Sequence, residues 1–229
     1  MKEKVLKGIT IAWLVIESVL FLTISIIRII GEFPAILCQL TTFLSFLTAV
    51  AGAVILKRKE LVFLSIAMCF TVAADVFLVW IDGFYEIAVT IFLFAQIMHF
   101  LRLAAAGRPW KTSLMIRIIT TVLGIVLVIT FRMVSYLTVA GVLYAAEILI
   151  NTVDSGIIMR KQRRFSWCFA GFILFLLCDV TVGLRGIGNE LRLSYQADDI
   201  IGRLTWIFYI PSQVGIVLSG VLPVFRRKK

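Results

Sequence analysis

An all-α polytopic membrane protein, with eight transmembrane helices in one domain spanning 1–229, is the architecture this sequence predicts, and three observations carry it. The chain has 229 residues, 61% of them hydrophobic and 16% charged, and its mean hydropathy is positive; soluble globular domains do not have this composition. The apolar residues fall into eight runs of about 20, the length that crosses a hydrocarbon core. Basic residues collect at alternate ends of those runs: eighteen of the 23 Lys and Arg lie within 2–7, 57–59, 102–117, 160–164 and 226–229. The positive-inside rule places that side, and with it both termini, in the cytoplasm, as an even number of helices requires.

Taken in order, hydropathy predicts helices near 8–30, 34–56, 60–81, 84–104, 112–131, 135–158, 165–185 and 201–224. The first run follows a basic start and no small-residue cleavage pattern succeeds it, so it reads as a retained helix rather than a signal peptide. Turn chemistry marks the breaks: Gly31 with Pro34, Asp82-Gly83, Gly107 with Pro109, and Gly186 with Gly188. The longest and most polar connection, 185–199, is placed to cover a cavity mouth. A tandem four-helix repeat is also visible, helix three aligning with helix seven through Asp75-Val76 and Asp179-Val180, and helix four with helix eight through Gln96 and Gln213.

Several chemistries are excluded. The formal net charge is +10, but its distribution is topological, so no nucleic-acid partner is expected. Cys38, Cys69, Cys168 and Cys178 stand in apolar stretches without a C-x-x-C pair and read as buried packing residues. His99 is the one histidine, about 15–20 Å in depth from the aspartate level by helix rise. That position argues against a Ser-His-Asp triad, and a single histidine rules out a multi-histidine metal site. No metal and no cofactor are expected.

What remains is carboxyl chemistry. Asp75 and Asp179 each interrupt the far part of an apolar helix, where a carboxylate costs on the order of 2.5–3.5 kcal/mol and marks a functional site by default. Asp75 lies fifteen residues past Glu60 and Asp179 fourteen past Phe165, so both sit about 21–23 Å from the cytoplasmic edge. Glu17 and Glu147 fall near the middle of helices one and six. Tyr144, Glu147, Asn151 and Asp154 line one face of helix six. Gln96 and Gln213 project deeper, so these groups meet only around a tall cavity of the kind a long-chain lipid needs. The plainer reading treats such side chains as interhelical glue worth about 0.6 kcal/mol each. Glu60 and Asp154, near the edge, read as solvated, and Ser45, Ala49 and Ala53 as a small-residue packing stripe.

Asp75 with Leu78, Phe94-x-Gln96-x-x-His99, Gly171-Phe-x-x-Phe-x-x-x-Asp179 and Tyr209-x-x-Ser-Gln213, in that order on successive helices, together resemble the lysoplasmalogenase family, the YhhN-like eight-helix membrane proteins. The likeness runs from about 57 to 220. Ala74-Asp75 stands where family members usually carry Gly-Asp, the mark of a divergent member. The resemblance implies hydrolysis of the vinyl ether bond of lysoplasmalogens to a fatty aldehyde and a glycerophospho-alcohol. It carries over Asp75 and Asp179 as catalytic; the polar residues read above from their places in the apolar helices, Gln96, Tyr144, Glu147, Asn151 and Gln213, are the substrate-binding candidates.

Two carboxyls divide such work when one stays protonated and the other ionised. The sequence leaves open which is which. A lipid- or proton-linked transporter or binding protein is the alternative; it expects broken helices, and Pro211 with Gly183, Gly186 and Gly188 supplies the only breaks, helices three and four having none. A structural subunit would instead scatter its polar residues outward. Minimal loops suggest a bacterial plasma membrane.

Overall fold

Eight helices, each long and apolar enough to cross a membrane, make up the computed structural model, which describes residues 2–30, 34–81, 83–186 and 194–222. They are α1 (Lys2–Ile29), α2 (Ala35–Leu56), α3 (Lys59–Asp75, continued as a π turn over Val76–Ile81), α4 (Tyr85–Ala105), α5 (Trp110–Thr130), α6 (Tyr136–Met159), α7 (Phe165–Gly186) and α8 (Tyr195–Val221). The protein is an integral, multi-pass, all-α membrane protein. The predicted bounds hold to within two residues except that α1 and α8 each begin six residues early and α8 ends three residues early, at Val221. Ser194 sets the start of α8, its hydroxyl accepting from the Ala197 amide at 3.2 Å. The part of the expected covering segment at 187–193, with Gly31, Asp82 and Gly188, lies outside the described residues.

The helices separate a buried face from an exposed one rich in aliphatic side chains. On α1, Leu6, Thr10, Trp13, Glu17 and Ile24 are buried, whereas Ile11, Val15, Val19, Leu22 and Ile26 are exposed, the 3.6-residue period of a helix with one protein face and one lipid face. The most extensive packing joins α3 to α4 and α7 to α8, the pairs that the repeat expected from the sequence would relate. Between α7 and α8 the backbones nearly touch: a Cβ on Gly215 would stand 2.9 Å from the Trp167 carbonyl oxygen and 3.3 Å from Gly171 Cα. Such close approach is how helices gain packing energy where lipid removes the hydrophobic drive. The cysteines are free, and Cys69 is exposed instead of buried.

The basic end departs most from expectation. Glu60 and Asp154 are buried, not solvated, and Arg102 and Arg117 are 1% and 3% exposed. Glu60 pairs with Arg164 at 2.7 Å and Arg58 at 3.2 Å. Arg58 donates to the Gly220 carbonyl, and Arg164 donates to that of Ser219 at 3.3 Å. Arg102 donates to Ser219 Oγ at 2.5 Å and lies 5.6 Å from the Phe165 ring centroid. These bonds tie the last turn of α8 to the last turn of α4 and to the starts of α3 and α7, so the charges that looked purely topological also lock helix ends together.

α5 sits at the periphery and packs extensively only on α6. Arg117 anchors it. Its guanidinium donates to the Glu147 carboxylate and to Asn151 Oδ1 at 2.8 Å, pairs with Asp154 at 3.3 Å, and lies 4.4 Å over Phe100. Arg108 closes on Asp154 at 2.6 Å, and Ser113 donates to the same carboxylate.

Candidate active site

Asp75 stands at the point where α3 stops being α-helical. Its carboxyl is 3% exposed and accepts from the Tyr209 hydroxyl on both oxygens, at 2.7 Å on Oδ1 and 2.6 Å on Oδ2. Thr42 of α2 lies alongside. The π turn that follows, Val76–Ile81, widens the helix directly beyond the carboxyl, a local irregularity frequent at functional sites. Helix three therefore does carry a break, contrary to the reading of its sequence.

Asp179 is arranged differently. Among the described residues it accepts from the Tyr144 hydroxyl through Oδ2 alone, at 2.8 Å. An aromatic belt joins the two pairs: Trp206 packs on Tyr209 at 5.6 Å, Tyr209 on Phe175 at 5.7 Å, Phe175 on Phe92 at 6.0 Å, and Phe92 on Tyr144 at 6.1 Å between ring centroids. Cys178, buried, directly precedes Asp179 on α7. Four helices, α3, α6, α7 and α8, thus bring two carboxyls and two phenols into one aromatic neighbourhood.

Tyr144 takes its place there as a partner of Asp179. Glu147 and Asn151 do not: both turn toward α5 and belong to the Arg117 network, because a guanidinium buried at the α5–α6 contact takes up every acceptor within reach. Asn151 also donates to Gln96, at 2.9 Å to its backbone oxygen and 2.9 Å to Oε1. Gln213 donates to Ser212 Oγ at 3.3 Å. Gln96 Nε2, Gln213 Oε1 and His99 Nδ1 are buried with no hydrogen-bond partner, and His99 stacks edge-on against Phe172 at 5.2 Å. The polar residues expected around one tall cavity are therefore split between the aspartate–tyrosine pairs, the Arg117 network and these amides.

Tyr209 was missed as a site residue. The usable signal was a phenol in a long apolar run, since a buried tyrosine hydroxyl needs a partner. Among the described residues no three His, Cys, Asp or Glu side chains group closely enough to hold a metal. Two cavities open beside α1 and α8, and neither is lined by Asp75 or Asp179.

Fold and site together define a multi-pass helical membrane protein that keeps hydrogen-bonded acids in its apolar interior. The chain belongs to the YhhN family, whose pattern matches residues 34–220, from just before α2 to the last turn of α8. No curated protein and no solved structure matches it.

Proposed function

We propose that the protein hydrolyses the vinyl ether bond of lysoplasmalogen-like lysophospholipids, with Asp179 as acid and Asp75 as the carboxylate that activates water. Membership of the YhhN family, the family of lysoplasmalogenases, supports the reaction class. The observation that carries the assignment of roles is the unequal hydrogen bonding of the two acids. The single Tyr209 hydroxyl proton lies between both oxygens of Asp75, an arrangement that suits an ionised carboxylate, whose two oxygens are equivalent. A carboxyl bonded through Oδ2 alone keeps Oδ1 to hold a proton and deliver it.

The chemistry follows from that division. Asp179 transfers its proton to the β-carbon of the enol ether, and the double-bond electrons shift to leave an oxocarbenium ion at the ether carbon. Asp75, ionised nearby, stabilises that cation and removes a proton from the water that adds to it. The hemiacetal collapses, the C–O bond to glycerol breaks, and the fatty aldehyde departs as the glycerol oxygen takes up a proton.

The π turn beside Asp75 favours one other reading, a transporter in which a helix break adjoins the coupling acid. Purified protein given 1-alkenyl, 1-alkyl and 1-acyl lysophospholipids separates the two. The hydrolase releases aldehyde from the alkenyl lipid and nothing from the alkyl ether. Uptake of the lipids into vesicles without aldehyde from any of them contradicts the hydrolase and supports the transporter.

A further inference from the structure

We propose that the crevice bounded by α1, α7 and α8 receives an uncharged single-chain carbonyl compound, the fatty aldehyde of the proposed reaction, with the carbonyl oxygen on Glu17. The crevice encloses about 260 Å³, more than the apolar cavity of about 150 Å³ that holds benzene in an engineered protein. Leu14, Phe21, Leu174, Ile210 and Val214 form its apolar wall. It exists because α1 packs on α2 and α8 and has no extensive contact with α7. Gly171 and Gly215, which bring α7 and α8 into backbone contact, leave that part of the wall without side chains. Ser18, Ala170 and Trp167, at the rim, are exposed on membrane-spanning helices, so a chain enters from the hydrocarbon without passing through water.

One polar group in that wall keeps an unused site. Glu17 is 2% exposed and takes two donors on the same oxygen: Trp13 Nε1 donates to Oε1 at 2.9 Å, and Ser45 Oγ donates to it at 3.1 Å. Oε2 is buried with no hydrogen-bond partner. With Oε1 occupied, Oε2 is the oxygen placed to carry a proton, and a carboxyl O–H is a donor. An acid kept within a membrane span marks a functional site by default. The other hydroxyl at the crevice, that of Ser18, donates to the Leu14 carbonyl at 2.8 Å and is committed to its own helix. No Lys, Arg or His borders the crevice.

Those groups select the ligand. A phosphate or a fatty acid anion finds no cation here and meets a carboxyl, while a plain alkane leaves Oε2 unpaired. A carbonyl on a single chain accepts from Oε2 and buries the rest of the molecule against apolar wall. The proposed hydrolysis releases such a molecule, and position favours its capture. Thr42 lies alongside Asp75, and Ser45, three residues farther along α2, donates to Glu17; on α2 the two acids are thus about 4.5 Å of rise apart. Ile210 of the wall directly follows Tyr209, the partner of Asp75. The role in product exit rests on the proposed reaction; the chemistry of the ligand rests on Glu17 and the wall alone. Glu17 also lies ahead of the residues that match the family.

A ketone tests the crevice apart from the reaction, because it keeps the acceptor oxygen without being a product. Purified protein in lipid nanodiscs is photolabelled with a long-chain 2-alkanone that carries a diazirine beside the carbonyl, and the labelled residues are located by mass spectrometry. Label is expected on the α1, α7 and α8 segments that line the crevice. In Glu17→Leu it is expected to fall about fivefold, the worth of one hydrogen bond, and in Glu17→Gln, whose amide still donates, to persist. Ala170→Trp, which fills the opening from an exposed position, is expected to remove it. An alkane with the same diazirine is expected to label the wild type and Glu17→Leu alike, and a fatty acid anion is expected not to compete. Label spread over the lipid-facing surface overturns the proposal, as does label undiminished in Glu17→Leu or in Ala170→Trp, or equal competition by the fatty acid anion. Label that depends on Glu17, with no aldehyde from the alkenyl lipid, upholds the site and removes the reaction; aldehyde release with label indifferent to Glu17 does the reverse.

Discussion

Asparagine at Asp75 or at Asp179 is expected to lower aldehyde release from 1-alkenyl lysophospholipid by about 10²–10⁴-fold, the usual contribution of a positioned acid or base. The substitution suits the site because it keeps the volume of each side chain and one acceptor oxygen. Tyr209 and Tyr144 still find an acceptor, so the fold around the aromatic belt survives. What is lost is chemistry: an amide at 179 has no transferable carboxyl proton, and an amide at 75 cannot take one from water or carry the charge that steadies an oxocarbenium ion. The two acids act on one proton inventory, so the double variant is expected to be little worse than the single ones. Initial rates on variants that purify as the wild type does are the check; either variant at the wild-type rate contradicts the assignment.

Arg117→Met is expected to produce the largest loss of stability of any single change considered, about 3–5 kcal/mol, as when one partner of a buried ion pair is removed. Lipid supplies no hydrophobic drive to hold α5, whose outward face is aliphatic throughout its middle turns. Its attachment runs through α6, and Arg117 is the group that binds Glu147, Asn151 and Asp154 together there. With methionine in its place Asp154 retains Arg108 and Ser113, but Glu147 loses its cation and Asn151 its donor. Arg117→Lys keeps the charge and loses the fork, and is expected to fall between the two. Unfolding of the purified protein in detergent measures it. A change within about 0.5 kcal/mol, the range of an inert surface substitution, contradicts the anchoring role.

The fold was legible because a membrane span announces itself in one dimension. Eight apolar runs of the right length leave little freedom, and the boundary errors fall at α1 and α8, where polar first turns dilute the hydropathy signal that marks a start. The aspartates were legible for the same reason: a carboxyl in an apolar run stands out against its own neighbours. Their partners were not. Tyr209 and Asp75 are 134 residues apart, and nothing local to either tells which of many aromatic residues will face it.

Charge was legible only in sum. Counting Lys and Arg by loop assigned Arg102 and Arg117 to topology alone, when helix packing buries both and bonds them to Ser219 and to the α6 acids. The same blindness misplaced Glu147 and Asn151, since their even spacing along α6 with Tyr144 identifies a face without identifying the helix it meets. Tyr144 lies one turn farther along that face, past the reach of Arg117, and so meets Asp179 instead.

Proton delivery from a carboxyl to the β-carbon of a vinyl ether leaves a mark in the product. The most direct measurement is mass spectrometry of the aldehyde formed when purified protein and 1-alkenyl lysophospholipid are incubated in D₂O. The account predicts one deuterium, on the carbon next to the carbonyl, in aldehyde that appears only when the protein is present and is lost when Asp179→Asn replaces it. Protein-dependent aldehyde without that deuterium, or with it undiminished in the variant, would contradict carboxyl protonation as the way this protein opens the bond.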